Sequence, residues 1–249
     1  MTFSPMQKIS KQQAQKLVLQ SQGLALTKKE GSALSLSLSA IENLGYIQID
    51  TISVVQRAHH HTLWNRNPSY EINHIEELVR QKQVFEYWSH AAAYIPMCDY
   101  RYSLIRKNEI ATGAQKHWYD RDKKLMQLVL SRITNEGPLM AKNFEQPKNK
   151  TGEWKSKPAK QALDALFMQG DLMISSRQNF HKIYDLTERV LPENINTTTP
   201  SSEEYARFLI IRYLKANGLG QASEMAYLLK NTKPLITITL ENMLLNNKL

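Results

Sequence analysis

Three stretches of helical periodicity, the first two each followed by a pair of short β-prone runs, predict a mainly α protein with small β-hairpin wings. The repeated outline reads as tandem winged helix-turn-helix domains. The outlines occupy residues 1–115, 116–192 and, incompletely, 193–249. The last is set off by the Asn-, Thr- and Pro-rich linker 191–202.

The first outline opens at Ser10, which has capping-box spacing to Gln13, with Ile9 and Ala14 placed to staple the turn. Ala14, Leu17 and Val18 carry the stripe onward. Leu34, Leu38, Ile41 and Leu44 keep helical spacing up to Gly45, a residue suited to a helix stop, although the alternating Ser and Leu residues also permit a strand. A short β-branched run follows at Leu44–Ile52. Ile72, Ile75, Leu78 and Val79 then make an amphipathic helix, and Val84–Ser89 with Ala92–Met97 supply the wing.

In the second outline Leu125, Leu128 and Val129 share a helix face, and Gly137-Pro138 closes that helix and opens the next. Leu163, Leu166 and Phe167 share another face between Pro158 and Gly170. Leu172–Ser175 and Phe180–Leu186 read as strands joined by a polar turn at Arg177, Gln178 and Asn179. The third outline has Ala206, Leu209, Ile210 and Tyr213 before Gly218, then Ala222, Met225, Leu228 and Leu229. Pro234 opens a last helix through Leu244, within which Leu235–Leu240 is equally β-prone, and no wing follows.

No apolar run approaches the roughly 20 residues needed to span a bilayer, so no membrane is expected as a partner. The polar N-terminus lacks a signal core, and the single cysteine, Cys98, excludes an intrachain disulfide framework and a Cys-based zinc site. A cytoplasmic monomer is expected. The net charge of +9 is unevenly spread: residues 97–190 hold 17 basic and 11 acidic side chains, which leaves +6 there. Six lysines (142, 148, 150, 155, 157 and 160) crowd one stretch of it. Such a patch favours a polyanion, nucleic acid first, over a merely solvated lysine-rich loop.

The chemistry centres on Leu44–Ile52. Successive side chains of an extended segment alternate in direction, so Ile47 and Ile49 point one way while Gln48 and Asp50 point the other. An amide beside a carboxylate can hold and activate a water, and a half-buried strand with one wet face is the plainer alternative. His59, His60 and His61 invite a metal reading, but three adjacent residues cannot converge on one ion, and cleft or DNA contact or polar packing is expected instead. In Val84–His90 an extended reading puts Glu86, Trp88 and His90 on one face, where they would line a binding site unless Trp88 is core and Glu86 is paired with an arginine.

Several of these runs resemble the AlkZ/YcaQ-type DNA glycosylases: Leu44–Ser53, Arg57–His61, Leu63–Arg66, Glu86–Ala92, Gly137–Leu139, Trp154–Lys160 and Phe180–Pro192. The resemblance runs from about Ser10 to Lys248, and its two most specific signatures are Gln48–Ile52 and Glu86–His90. It implies tandem winged helices and a bacterial DNA repair enzyme that hydrolyses the N-glycosidic bond of bulky N7-alkylated purines and unhooks interstrand crosslinks. It also implies a catalytic Gln-x-Asp pair at Gln48 and Asp50, double-stranded DNA as partner, a nucleoid-associated location, and no metal or cofactor.

An N7-alkylated purine carries positive charge, so its glycosidic bond is already weakened and the sugar's oxocarbenium-like transition state is the difficult part. Asp50 can stabilise that cation and take a proton from water that Gln48 orients. A lysine Schiff base is an alternative route, but no lysine is singled out for it. Arg57, Arg66, Lys155, Lys157 and Lys160 are candidate phosphate contacts. Family chains are longer and add a third winged helix, a small β-domain and a probing hairpin, so a C-terminal truncation is expected. A non-catalytic winged-helix DNA-binding protein and an inactive fragment are the other readings.

Overall fold

Local signals account for most helix ends in the computed structural model, which describes residues 8–25, 30–116, 121–144, 158–229, 231–246 and 248. Helix α1 (Lys11–Ser21) starts on a complete capping box: Ser10 Oγ accepts from the Gln13 N–H at 3.2 Å, and Gln13 Oε1 accepts from the Ser10 N–H at 2.8 Å. Helix α2 (Ala33–Leu44) is capped by Ser32 and ends at Gly45, whose φ of 83° lies in the left-handed region. The Ser–Leu alternation is therefore helical.

Strand β1 (Ile47–Gln48), helices α3 (Ala58–Trp64) and α4 (Asn73–Arg80), and strands β2 (Val84–Trp88) and β3 (Ala92–Pro96) complete the first outline. Its sheet is antiparallel in the order β1-β3-β2, with Gln48 opposite Ala93 and Glu86 opposite Tyr94. Helix α5 (Tyr100–Thr112) follows without a periodic signal. Its buried face is Tyr100, Lys107 and Ile110, and a lysine in that stripe hides it from any apolar count.

The second outline contains α6 (Lys123–Glu136), β4 (Leu139–Met140), α7 (Pro158–Gln169), β5 (Leu172–Gln178) and β6 (His181–Leu186), with its sheet in the order β4-β6-β5. Three expectations are corrected here. The buried face of α6 is Met126, Val129 and Ile133, whereas Leu128 is exposed. Gly137-Pro138 leads into a strand and a 3-10 turn, because proline's fixed φ suits an extended start as well as a helical one. The hairpin turn is the two residues Asn179 and Phe180, both at positive φ, instead of Arg177 to Asn179, because β5 runs on through Gln178.

The third outline follows a single-turn helix α8 (Thr187–Val190) and the linker, and comprises α9 (Ser202–Asn217), α10 (Ala222–Met225) and α11 (Lys233–Leu245). Leu235–Leu240 is helical. Helix α10 stops at Met225 instead of continuing, and Leu228 stands exposed at a φ of 61°. Among the described residues no helix is long and apolar enough to cross a membrane.

Three apolar clusters hold these elements. The first gathers Ile41, Ile47, Leu63, Leu78 and Val84, the second Val129, Ile133, Leu163 and Leu172, and the third Ala206, Ile210, Ile236 and Met243. Strand β2 is buried on both faces: Val84 joins the first cluster while Phe85 and Tyr87 join the second. The core therefore runs on across residue 115. Helix α9 folds back on the first outline, where Arg212 donates to the Glu42 carbonyl at 2.6 Å and pairs with Asp99. That return brings the C-terminal end of α9 beside β1.

Candidate active site

Strand β1 alternates as its sequence dictates. Ile47 and Ile49 are 2% and 7% exposed and anchor in the first core, while Gln48 is exposed and Asp50 half-buried. Ile49 extends the pairing by donating its N–H to the Ala92 carbonyl at 2.8 Å, after which Asp50 turns the chain away. Tyr46, Gln48 and Asp50 all line an open hollow of about 420 Å³. Its other walls include Gln22 at the end of α1, Ala58 and Thr62 of α3, Arg66, and Ala216 and Asn217 at the end of α9.

Asp50 is held by its own turn and by α3. Its Oδ1 accepts from the Ile52 N–H at 2.9 Å, and its backbone N–H donates to His59 Nδ1 at 3.3 Å. That bond requires an unprotonated Nδ1, hence a neutral imidazole with its proton on Nε2. Burial, reinforced by the charges of His60, Arg57 and Arg177, pushes the His59 pKa down to about 3. A carboxylate has about four lone-pair positions. The Ile52 bond uses one, so capacity remains for a water.

The far wall carries charge of its own. Gln22 Nε2 donates to the Ala216 carbonyl and to Asn217 Oδ1, both at 3.0 Å, and so ties α1 to the C-terminal end of α9. A helix C-terminus carries roughly half a negative charge, which favours a cation nearby. Arg66 opposes it in part, and its guanidinium is engaged by the Gln22 carbonyl at 2.7 Å, Gln22 Oε1 at 3.0 Å and the Thr62 carbonyl at 3.0 Å. Burial lowers its pKa. Arg66 thus forms part of the wall of the hollow.

The remaining sequence candidates separate. His90 is exposed at the end of β2 and packs edge-on against Tyr46, with ring centroids 5.1 Å apart, so it flanks the hollow. His60 is buried, with Nδ1 2.7 Å from the Tyr70 hydroxyl, and His61 faces out beside Trp64. Among the described residues no group of three or more His, Cys, Asp or Glu is placed to hold a metal.

Glu86 is 4% exposed and forms a two-pronged ion pair with Arg177 at 2.5 and 2.7 Å, so it is not part of the hollow. Its strand is covered on both sides, which removes the open face that alternation suggested. Trp88 packs against the second core. Arg57 lies flat over the Phe180 ring, 3.8 Å from its centroid, with Arg177 4.3 Å from the same ring. The tip of the β5–β6 hairpin thus docks on α3 behind His59. Lys160 is exposed on α7, and Lys155 and Lys157 lie outside the described residues.

Sequence reasoning missed Gln22, Tyr46, Thr62 and Asn217. Tyr46 was within reach, since it continues the alternation of Gln48 and Asp50. The other three arrive only through tertiary packing of α1, α3 and α9. A second hollow, about 480 Å³ and lined by Cys98, Asp99, Tyr102, Phe208 and Arg212 among others, lies between α5 and α9. Its central charges are already paired with each other.

A family model described as DNA glycosylase AlkZ-like matches residues 41–249. Among solved structures, the DNA glycosylase AlkZ of Streptomyces sahachiroi is similar, with a TM-score of 0.67 and 15% sequence identity. The match covers 95% of this chain and 66% of that one, so this chain spans just under two thirds of the length of that protein. At that identity the likeness is one of fold.

Proposed function

The chain belongs to the AlkZ-like DNA glycosylase family, and from that membership we propose that it is a DNA repair glycosylase acting on N7-alkylated purines, interstrand crosslinks included. In this reading Asp50 stabilises the oxocarbenium-like sugar and accepts a proton from the attacking water, while Gln48 orients that water from the same side. The neutral His59 fixes the backbone of Asp50 without competing for its charge. The C-terminal end of α9 adds negative potential opposite, suited to a purine already cationic before its bond breaks. Water is the nucleophile, so the enzyme is monofunctional, and no metal or cofactor takes part.

The observation that carries the reading is the pairing of an exposed Gln48 with a half-buried Asp50 on one open hollow, braced from behind by Ile47 and Ile49. A hollow of about 420 Å³ is within the range that takes a small ligand. A plain DNA-binding protein has no use for a carboxylate pinned in such a place.

Double-stranded DNA is the partner of this reading. Its backbone contacts fall to Arg57, Lys155, Lys157 and Lys160, with Arg66 held more closely by Gln22 and Thr62. We also read the helix–sheet outlines at 1–115 and 116–192 as winged helices sharing one core, with 193–249 as part of a third. The protein acts as a monomer in the cytoplasm, at the nucleoid. The test is incubation of the purified chain with methylated duplex DNA. Free 7-methylguanine and intact but alkali-labile strands are expected, and an absence of free base, or direct strand cleavage, would contradict the reading.

A further inference from the structure

The turn that leaves Asp50 carries aliphatic side chains into solvent instead of into a core. Ile52 is 71% exposed, Val54 91% and Val55 86%. The same residue types are sealed elsewhere in the chain, as at Ile41, Val129 and Ile133, each 0% exposed. Consecutive exposed β-branched residues cost solubility and add nothing to folding, so a function is the reason to look for.

The turn is held at both ends. Asp50 Oδ1 accepts from the Ile52 N–H at 2.9 Å, and Ser53 and Arg57 form an isolated antiparallel bridge that closes its base. Arg57 is fixed in turn by its stack on Phe180. The tip is thus presented from a fixed base, immediately beside the candidate catalytic pair.

We propose that Ile52, Val54 and Val55 form an apolar wedge that enters the base stack of duplex DNA and occupies the space left when the target nucleotide turns out toward Gln48 and Asp50. The proposal rests on the glycosylase reading of that hollow. A singly alkylated base, unlike one tethered across the strands by a crosslink, is free to leave the stack, and enzymes that do chemistry on a base in a duplex reach it that way. The opened step is apolar and is filled in other DNA-bending proteins by aliphatic side chains. The geometry suits this use. Val54 is four residues beyond Asp50, at most about 14 Å of chain, and base steps are about 3.4 Å apart, so wedge and carboxylate reach the same few steps.

Charge points the same way. Residues 51–56 (Thr-Ile-Ser-Val-Val-Gln) carry no charge at all, while the chain as a whole is +9. An uncharged tip on a basic protein fits a contact in which phosphates meet the surroundings and bases meet the tip.

The test pairs two readouts on the double variant Val54→Ser/Val55→Ser, with a thermal melt to verify that the fold is unchanged. The first is fluorescence of 2-aminopurine placed beside a tetrahydrofuran abasic analogue in a duplex, which rises when its neighbour is unstacked. The second is the rate of 7-methylguanine release from duplex relative to single-stranded DNA. Wild type is expected to raise the fluorescence. The double variant is expected to bind the duplex within about threefold without that rise, and to lose at least tenfold in duplex turnover while keeping single-strand turnover.

Release of base from both substrates with no dependence on the two valines would overturn the wedge and leave the glycosylase reading standing. A valine-dependent fluorescence rise without any base release would sustain the wedge and sink the glycosylase reading. Valine-dependent partition onto anionic vesicles, with no change on DNA, would overturn the wedge in favour of a lipid surface.

Discussion

Lys107 is 2% exposed on α5, with Nζ 4.0 Å from the Tyr100 ring centroid, 4.8 Å from Tyr87 and 5.7 Å from Phe85. Among the described residues its Nζ has no hydrogen-bond partner, and burial drives its pKa down to about 7. The unfolded chain therefore binds more protons than the folded one between about pH 7 and the ordinary lysine value of 10.5. Stability rises with pH across that window and is lowest below it. Lys107→Met is expected to stabilise the fold at pH 7 by on the order of 2 kcal/mol, and that advantage should shrink as chemical-denaturation curves are repeated toward pH 10.

His59 offers a second test at the same scale. Asn can place an acceptor where Nδ1 stands, and Leu cannot. His59→Leu should slow base release at least tenfold, His59→Asn should recover most of it, and substrate binding should be similar in the two. Equal rates for both variants would remove His59 from any positioning role.

Among the elements, the β5–β6 hairpin is committed to an internal contact. Its tip packs on the first outline, where Phe180 lies between Arg57 and Arg177 at a φ of 67°. A non-glycine residue at that angle costs on the order of 1 kcal/mol. Phe180→Ala is expected to lower stability by about 2 kcal/mol through the lost ring. Phe180→Gly, free of the angle cost, should come out about 1 kcal/mol more stable than Phe180→Ala. Urea titration reads both.

The hairpin also marks how far the sequence could be read. Helix α2, the capping box of α1, both hairpins and the stop at Gly45 were legible because each is set by residues within a turn of one another. The alternation that sends Ile47 inward and Gln48 outward was legible for the same reason. For Glu86 the sequence left two readings open, a lining residue or an acid paired with an arginine, and the pair with Arg177 is the one found, because β2 is covered on one side by the second core and on the other by that arginine. Helix α5 was not legible, with a lysine in its buried stripe. Gln22 and Asn217 belong to the hollow only because α9 returns across 170 residues to donate from Arg212 to Glu42. No local pattern records such a contact.

At the scale of the whole molecule, the three outlines interlock, and the hollow lies where the first and third meet. A basic protein of this kind should bind duplex DNA with an affinity that falls steeply with salt. Replacing Lys155, Lys157 and Lys160 together by Gln should weaken binding evenly across sequences and flatten the log–log salt slope by about 2 to 3. An unchanged slope would move the phosphate contacts to another face. The proposed chemistry depends on the carboxylate at position 50 being the group that acts on the sugar. Single-turnover release of 7-methylguanine by Asp50→Asn, with duplex affinity measured alongside, addresses that directly. A loss of at least a hundredfold in rate with affinity kept within about threefold is the predicted result, and a rate equal to wild type would contradict it.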